Sequence, residues 1–133
     1  MRFYVASSIH NAENVKKVVS LMERNGHQLT YDWVKDGNVR SDGPDRMGEV
    51  AFFELRSVID AELVLVMLPG GAGTHTELGI SLASRTNKRI LVWSEDGSDF
   101  TDPKKNCVFY FHPAIERLVC PFEELLDRMN AIM

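Results

Sequence analysis

The stretch LVLVMLPGGAGTHTELG, residues 63–79, decides the expected fold of this chain. Its first six residues form a continuous apolar run, which is typical of a strand buried on both faces and therefore central in a parallel sheet. Three glycines follow between positions 70 and 73, and a helix is predicted from about Thr74 to Arg85. A buried strand, a glycine-rich turn and a helix together indicate one βα unit of an α/β fold.

Strands and helices also alternate on both sides of this unit. Apolar periodicity and turn residues predict, in chain order, a strand at Phe3–Ala6, a helix capped by Asn11 and ended by Gly26, a strand at Leu29–Trp33, an exposed loop at Lys35–Asp45, a helix at about Asp45–Asp60, a strand at Arg89–Trp93, a strand or loop at Val108–Phe111, an edge strand at Leu118–Cys120 and a helix at Phe122–Ile132. The pattern predicts an α/β domain spanning residues 1–133. We expect a doubly wound, Rossmann-like or flavodoxin-like, mainly parallel five-stranded sheet with helices on both faces.

Composition narrows the function classes. The chain has 133 residues, 44% hydrophobic residues, a formal charge of -4 and a pI near 5.5, which argues against binding a nucleic-acid polymer. The longest apolar run, Leu63–Leu68, is too short to span a membrane, so we expect a soluble, cytoplasmic protein without a membrane partner. The two cysteines, Cys107 and Cys120, lack the spacing of a zinc site, and no metal site is predicted.

Two predicted strand ends carry residues suited to ligand binding. Doubly wound sheets bind ligands outside the carboxyl ends of their strands, where Ser7 and Ser8 follow the first strand and the glycine loop follows the central one. Gly70, Gly71 and Gly73 let a ligand approach the backbone, and the free amides of the next helix favour an anion such as a phosphate. The alternatives are a tight turn for the glycines and simple capping for the serines.

Two glutamates are candidates for acid–base and nucleophilic chemistry. Glu77 has a structural alternative, because Thr74-x-x-Glu77 has the spacing of a helix capping box. Glu54 falls between Val50 and Val58 at the margin of an apolar helix face, where it is either used chemically or reaches out to solvent. A carboxylate nucleophile and a carboxyl proton carrier form the usual pair for glycoside chemistry, which needs no metal or redox cofactor.

Aromatic and imidazole side chains near these positions are weaker candidates. His75 lies inside the glycine-loop motif, where it is either a ligand contact or a solvated side chain of the first helical turn. Trp33, at the end of the second predicted strand, either stacks on a nucleobase or belongs to the core.

Three features occur in the chain in a characteristic order: FYVASSI (residues 3–9), Glu54 eight positions before Glu62, and ELG within THTELGISLA (residues 74–83). In these features the chain resembles the nucleoside 2-deoxyribosyltransferases and the related deoxynucleoside-monophosphate N-glycosidases. The resemblance implies that Glu77 attacks C1′ to give a glycosyl-enzyme intermediate, that Tyr4 orients it, and that Glu54 takes the place of the family's helical aspartate. It also implies that Ser8 contacts substrate phosphate or sugar. Homo-oligomers in which a neighbouring subunit completes the pocket are a further implication.

Two alternatives remain open. PGGAGTHTE, residues 69–77, also fits the PGGxGTxxE motif of the cytokinin-activating phosphoribohydrolases, which are often called lysine-decarboxylase-like proteins. Gly71 stands where the deoxyribosyltransferases have aspartate and the related hydrolases serine, so backbone amides would have to replace that side chain. A binding protein for a nucleotide derivative, without rapid chemistry, is the non-enzymatic alternative.

Overall fold

A computed structural model describes all residues from 1 to 133 and contains one five-stranded sheet. Every pair of neighbouring strands is parallel, and the strand order is β2-β1-β3-β4-β5. The strands are β1 (Arg2–Ser7), β2 (Gln28–Leu29), β3 (Leu63–Met67), β4 (Arg89–Ser94) and β5 (Ile115–Val119). The doubly wound α/β class is thereby confirmed, and the predicted buried strand is indeed the central one.

Helices connect the strands. They are α1 (Ala12–Arg24), α2 (Trp33–Asp36), α3 (Pro44–Asp60), α4 (Ala72–Ala83), α5 (Ser98–Thr101) and α6 (Phe122–Asn130), with 3-10 turns at Ile9–Asn11 and Val108–Phe111. Helix α1 buries Val15, Val18 and Met22, whose spacing of three and four residues places them on one face. None of the helices combines the length and the apolar content that crossing a lipid bilayer requires.

The core lies in two layers, one on each face of the sheet. On one face, alternate strand residues such as Phe3 and Leu65 pack against α1 and α6. On the other, Tyr4 and Val66 pack against α3, α4 and the 108–111 turn. Because side chains of a strand alternate between faces, Tyr4 points toward α4 while its neighbours point toward α1.

The predicted second strand, Leu29–Trp33, was too long. Strand β2 ends at Leu29, and Trp33 begins α2. The Thr30 amide still donates to the Phe3 carbonyl at 2.9 Å, but the next acceptor along β1, the Val5 carbonyl, binds the Trp33 indole N–H at 2.6 Å. The indole therefore occupies the acceptor with which a longer strand would have paired.

Two other local predictions were wrong in detail, and of the two alternatives given for Val108–Phe111 the strand is excluded. Asn11 occupies the N-cap position of α1, but its side-chain oxygen accepts no capping bond, and its side-chain amide donates to the Ser7 hydroxyl at 3.0 Å. Val108–Phe111 forms a 3-10 turn. The edge strand begins at Ile115 and ends at Val119, before Cys120. Its first half contains the charged residue Glu116, which pairs with Arg89 at 2.7 Å, so a prediction based on apolar residues did not recognise that half.

Candidate active site

The candidate site lies where the strand order reverses, between β1 and β3. Ser7 and Met67 are paired at the carboxyl ends of these two strands. The Ser7 hydroxyl donates to the Met67 carbonyl at 2.7 Å and accepts from the Asn11 side-chain amide at 3.0 Å. These bonds hold the two strand ends together at the switch point, which is where doubly wound sheets bind ligands.

The glycine loop leads into α4, but the capping box predicted for Thr74 and Glu77 does not form. Helix α4 begins at Ala72, two residues earlier than expected, with Gly71 in the N-cap position. The buried Thr74 hydroxyl accepts from the Gly71 amide at 3.2 Å, so threonine satisfies the donor that the glutamate would have satisfied. Glu77 is therefore one turn further into the helix and has no capping role.

Only one of the three loop glycines is explained by packing within the chain. A Cβ at Gly70 would lie 2.5 Å from the Thr74 methyl group, so a side chain there would displace the loop. A Cβ at Gly71 or Gly73 would meet no atom within 4 Å. Both glycines line the cavity described below, and the missing side chains leave its backbone wall open to a ligand.

Tyr4 and Glu77 meet inside the protein. Tyr4 on β1 is fully buried, and its hydroxyl donates a hydrogen bond to the carboxylate of Glu77, which is 7% exposed. Burial raises the pKa of Tyr4 far above its ordinary value, and the charges of Glu77 and Glu54 add to this effect. The tyrosine therefore remains a hydrogen-bond donor over the whole physiological pH range.

Glu54 on α3 meets the same carboxyl group. It lies half-buried between the buried residues Val50 and Val58, and its carboxyl is within hydrogen-bonding reach of Glu77. Two carboxyl groups in such contact share a proton, because two adjacent buried negative charges repel strongly. The structure thus brings together the two glutamates that sequence spacing could not place relative to each other.

The two carboxyl groups have raised pKa values for related reasons. Burial is the main cause for Glu77, and the neighbouring Glu54 adds to it, whereas the hydrogen bond from Tyr4 acts in the opposite direction. Burial also raises the pKa of Glu54, with a further contribution from the charge of Asp36. The pair accordingly holds one proton at a pH at which free glutamates would both be ionised.

A cavity of about 280 Å³ opens above these carboxyl groups. Pockets for small organic ligands begin at roughly 300 Å³, so its size suits a compact polar molecule. Four chain segments form its walls: Ser7, Ser8, Ile9 and His10; Trp33, Gly37, Asn38, Val39 and Arg40; Glu54; and Gly71, Gly73, Thr74 and Glu77.

Most of the substrate-contact residues predicted from the sequence line this cavity. Ser8 does so while its hydroxyl accepts from the His10 amide at 3.3 Å, which is the capping role given as its alternative. Trp33 also lines it, with its indole N–H bonded to the sheet. The ring is half-buried and packs against the core on both faces of the sheet, so it lines the cavity and also has the core contacts given as its alternative.

Gly70 and His75 lie elsewhere. Both line a neighbouring cleft of about 530 Å³ near the carboxyl end of β4. His75 contacts the Gly71 carbonyl through Nδ1 at 2.8 Å and the Tyr110 hydroxyl through Nε2 at 2.6 Å. Since a carbonyl only accepts, Nδ1 carries the proton and Nε2 accepts from tyrosine when the ring is neutral. His75 thus braces the glycine loop from the side facing away from the carboxyl pair.

Sequence reasoning missed the segment from Gly37 to Arg40. The Lys35–Asp45 loop was predicted to be exposed, and such loops often cover sites, but none of its residues was named as functional. The structure places this segment, including the guanidinium-bearing Arg40, in the cavity wall. The loop's position after the second strand was the available signal, because loops at that edge of the sheet cover ligand sites. No group of three or more His, Cys, Asp or Glu side chains is arranged to hold a metal ion.

Comparison with known proteins finds matches among solved structures only. The structure of the CMP N-glycosidase BcmB of Clostridium botulinum superposes with a TM-score of 0.67 at 14% identity, covering 98% of this chain and 99% of that one. A conserved protein from Enterococcus faecalis V583 superposes with a TM-score of 0.62 at 17% identity, covering 97% and 96%. At these identities the likeness shows the fold. No protein-family model and no curated protein matches the sequence.

Proposed function

We propose that this chain cleaves or transfers the N-glycosidic bond of a nucleoside or nucleoside 5′-monophosphate. The observation that carries the proposal is the buried Glu54–Glu77 pair, supported by Tyr4 and open to a cavity at the switch point of the sheet. Burying two carboxyl groups in contact costs stability, and such sites are characteristic of catalysis. The proposal agrees with the resemblance to the nucleoside 2-deoxyribosyltransferases and with the fold shared with a CMP N-glycosidase.

In the reactive state the shared proton of the pair lies on Glu54, and in the first step an oxygen of ionised Glu77 attacks C1′ of the sugar. A bond forms between C1′ and that oxygen, the bond from C1′ to the base nitrogen breaks, and its electron pair leaves with the base. Glu54 supplies the proton that neutralises the departing base. The hydrogen bond from Tyr4 keeps the attacking carboxylate in place.

In the second step, water or an incoming base attacks C1′ of the glycosyl-enzyme. Ionised Glu54 takes the proton of the attacking group, the bond between C1′ and Glu77 breaks, and the starting protonation of the pair returns. This is the double displacement of retaining glycosidases, in which one carboxylate is the nucleophile and the other carboxyl group acts first as acid and then as base. Water gives hydrolysis, and a base gives transfer.

The proposal is tested by incubating wild type, Glu77→Gln and Glu54→Gln with ribo- and deoxyribonucleosides and their 5′-monophosphates, with and without an acceptor base. Chromatography should show free base from wild type and a release that is about 100- to 10,000-fold slower from Glu77→Gln, in line with the contributions of single catalytic groups. Glutamine retains an acceptor for Tyr4, so the fold is preserved. Full activity of Glu77→Gln contradicts the mechanism.

The same panel separates the alternatives. Release of base from ribonucleoside monophosphates such as AMP, with none from deoxynucleosides, would indicate the phosphoribohydrolase activity suggested by residues 69–77. Tight binding without any product would indicate a nucleotide-derivative binding protein.

We further propose that the chain forms a homo-oligomer through the outer face of α3. Phe52, Leu55 and Ile59 follow one another at helical spacing on this face and are 63%, 44% and 45% exposed. In a two-fold antiparallel pairing centred on Phe52, Arg56 of one copy lies opposite Gly48 and beside Glu49 of the other. This pairing brings the two Phe52 rings together and places an acidic residue beside Arg56, which has no ion pair within its own chain.

A further inference from the structure

Arg40 is the only lysine or arginine that lines the candidate cavity. Its backbone amide donates to the Asn38 side chain at 3.1 Å, but its guanidinium takes part in none of the seven ion pairs, the side-chain hydrogen bonds or the cation–π contacts of the chain. By contrast, the arginine nearest to it in sequence, Arg46, is held by Asp36 at 3.0 Å and Glu49 at 2.8 Å. Arg40 therefore presents five unused donors at a site that already contains two carboxyl groups.

We propose that Arg40 binds the phosphate of a nucleoside 5′-monophosphate and makes this site selective for monophosphates over nucleosides. The inference rests on the proposed function for the class of ligand and adds the residue that reads the 5′ position.

The charges in the cavity support this role. With one shared proton, the Glu54–Glu77 pair carries one negative charge, and a bound monophosphate would add between about 1.5 and 2 more. Charges of the same sign within a partly dehydrated cavity repel strongly unless a cation offsets them. Arg40 is the side chain positioned to do so, whereas an uncharged nucleoside has no such requirement.

The opposite wall supplies complementary donors. Gly71 and Gly73 expose backbone at the first turn of α4, a helix of twelve residues whose positive end faces the cavity. Glu77 is on the same helix, about one and a half turns further on, which corresponds to roughly 9 Å along the axis from the N-cap. A sugar held with C1′ at Glu77 can direct its 5′ substituent toward this end. A planar guanidinium can then clamp two phosphate oxygens from the loop side.

Arg40 has a competing role, namely contact with the base. Such a contact would act equally on a nucleoside and its monophosphate, because both carry the same base. The ratio of the two affinities therefore distinguishes phosphate recognition from base recognition.

The test measures binding of CMP, AMP and their deoxy counterparts, each against the matched nucleoside, by calorimetry. Glu77→Gln serves as the background, so that turnover does not interfere. Adding Arg40→Ala should weaken monophosphate binding about 10- to 100-fold, in line with charge-assisted hydrogen bonds, and leave nucleoside binding within about 2-fold. Arg40→Lys should retain part of the affinity. Salt should weaken monophosphate binding more in the Arg40 background than in the alanine variant.

Arg24→Ala is the matched control. Arg24 is also exposed and free of ion pairs, but it lies at the end of α1, before β2, and does not line this cavity. Its removal should leave both affinities unchanged. Equal loss of nucleoside and monophosphate binding in Arg40→Ala overturns the inference, as does unchanged monophosphate binding or the absence of monophosphate binding in both backgrounds.

The outcome is separable from that of the proposed function. Binding does not require chemistry, so Arg40-dependent monophosphate binding by an enzyme that releases no base would refute the catalytic proposal and leave this one standing. If wild type releases base, and Arg40→Ala changes neither this release nor the affinity for either substrate, the catalytic proposal stands and the proposed role of Arg40 is refuted.

Discussion

The hydroxyl of Tyr4 donates a hydrogen bond to the carboxylate of Glu77 across 73 positions of sequence. One residue is in the first strand and the other is in the helix after the central strand, and both are buried. A buried carboxylate without a donor would cost several kcal/mol, so this bond makes an ionised Glu77 tolerable in the core. The contact links the stability of the fold directly to the charge of the proposed nucleophile.

Replacing Tyr4 by Phe should lower kcat by about 10- to 100-fold. The hydrogen bond to a charged acceptor contributes roughly 1.5–3 kcal/mol, and its loss leaves Glu77 less well oriented and more readily protonated. KM should change little, because the buried hydroxyl faces the carboxylate rather than the cavity. Steady-state kinetics on the substrate found in the product screen gives both constants.

Tyr110→Phe provides the matched control for that experiment. Tyr110 is equally buried, and it also loses one side-chain hydrogen bond, to His75 on the far side of the glycine loop. Comparable thermal destabilisation of both variants with a kcat decrease only in Tyr4→Phe supports a role in chemistry. Equal decreases in kcat in Tyr4→Phe and Tyr110→Phe would indicate that Tyr4 contributes through packing and stability and has no specific role in the chemistry.

The pH dependence of kcat/KM should follow a bell defined by the carboxyl pair. Activity requires one proton on the pair, so it should rise as the second proton is lost and fall as the last one is lost. Burial, with the charge and hydrogen bond of Glu54, raises the pKa of Glu77 to about 8, which places the alkaline limb far above the titration of a free glutamate. Burial also raises the pKa of Glu54, so the acidic limb should lie above the ordinary glutamate value too.

Glu54→Gln is the informative variant for this profile. It removes one titrating group and the charge that contributes to the high pKa of Glu77, so the two-limbed bell should collapse to a single limb at lower overall activity. A profile with both limbs unchanged in Glu54→Gln would show that other groups govern the pH dependence.

Glu77→Gln should be more stable than wild type above neutral pH. The folded-state pKa of Glu77 lies above the unfolded value, so the folded protein binds more protons between these two values. The free energy of unfolding of wild type therefore falls as the pH rises through this interval, whereas glutamine makes no such contribution. The difference should grow to the order of 2 kcal/mol by pH 8.5.

Urea unfolding at pH 5.5, 7.0 and 8.5 measures this difference. Glu123→Gln is the control, since Glu123 is exposed on α6 and has no ion pair. Its stability relative to wild type should not depend on pH. A Glu77→Gln advantage that is constant or decreases with pH would indicate that Glu77 is ionised without cost in the fold.

Most of the fold was accessible from sequence because it depends on local patterns. The all-apolar Leu63–Leu68 run identified the central strand, and the three-and-four spacing of Val15, Val18 and Met22 identified α1. The end of β2 was not accessible, because it is set by the Trp33 indole binding the Val5 carbonyl. Such side-chain competition for a sheet acceptor depends on tertiary contacts and leaves no periodic signal.

The site was accessible in part. Glu77 and Glu54 could be nominated as chemical types, but their convergence depends on how α3 and α4 pack on one face of the sheet. The Thr74-x-x-Glu77 spacing was misleading because Gly71, rather than Thr74, precedes the helix. Arg40 was missed because an arginine in a polar loop has no distinguishing neighbours in sequence, and only the folded loop places it in the wall of the cavity that Glu54 and Glu77 also line.

Phe52→Glu should convert the oligomer to monomers. Phe52 is the most exposed residue of the α3 stripe and lies at the centre of the proposed two-fold pairing, where two introduced carboxylates would face each other without water. Sedimentation velocity over a range of protein concentrations should show wild type as a multiple of 15.1 kDa and Phe52→Glu as a single chain. A monomeric wild type would refute the interface outright.

Three further variants test where and how the copies meet. Phe109 is 54% exposed but lies on the 108–111 turn, so Phe109→Glu should leave the oligomer intact if α3 is the interface. Arg56→Glu should weaken association by placing like charges across the two-fold axis, and adding Glu49→Arg should restore it by exchanging the two signs. If Phe109→Glu dissociates the oligomer and Phe52→Glu does not, the interface lies at the 108–111 turn. If Glu49→Arg does not restore association but Phe52→Glu still abolishes it, α3 is the interface and the register of the pairing differs from the proposed one.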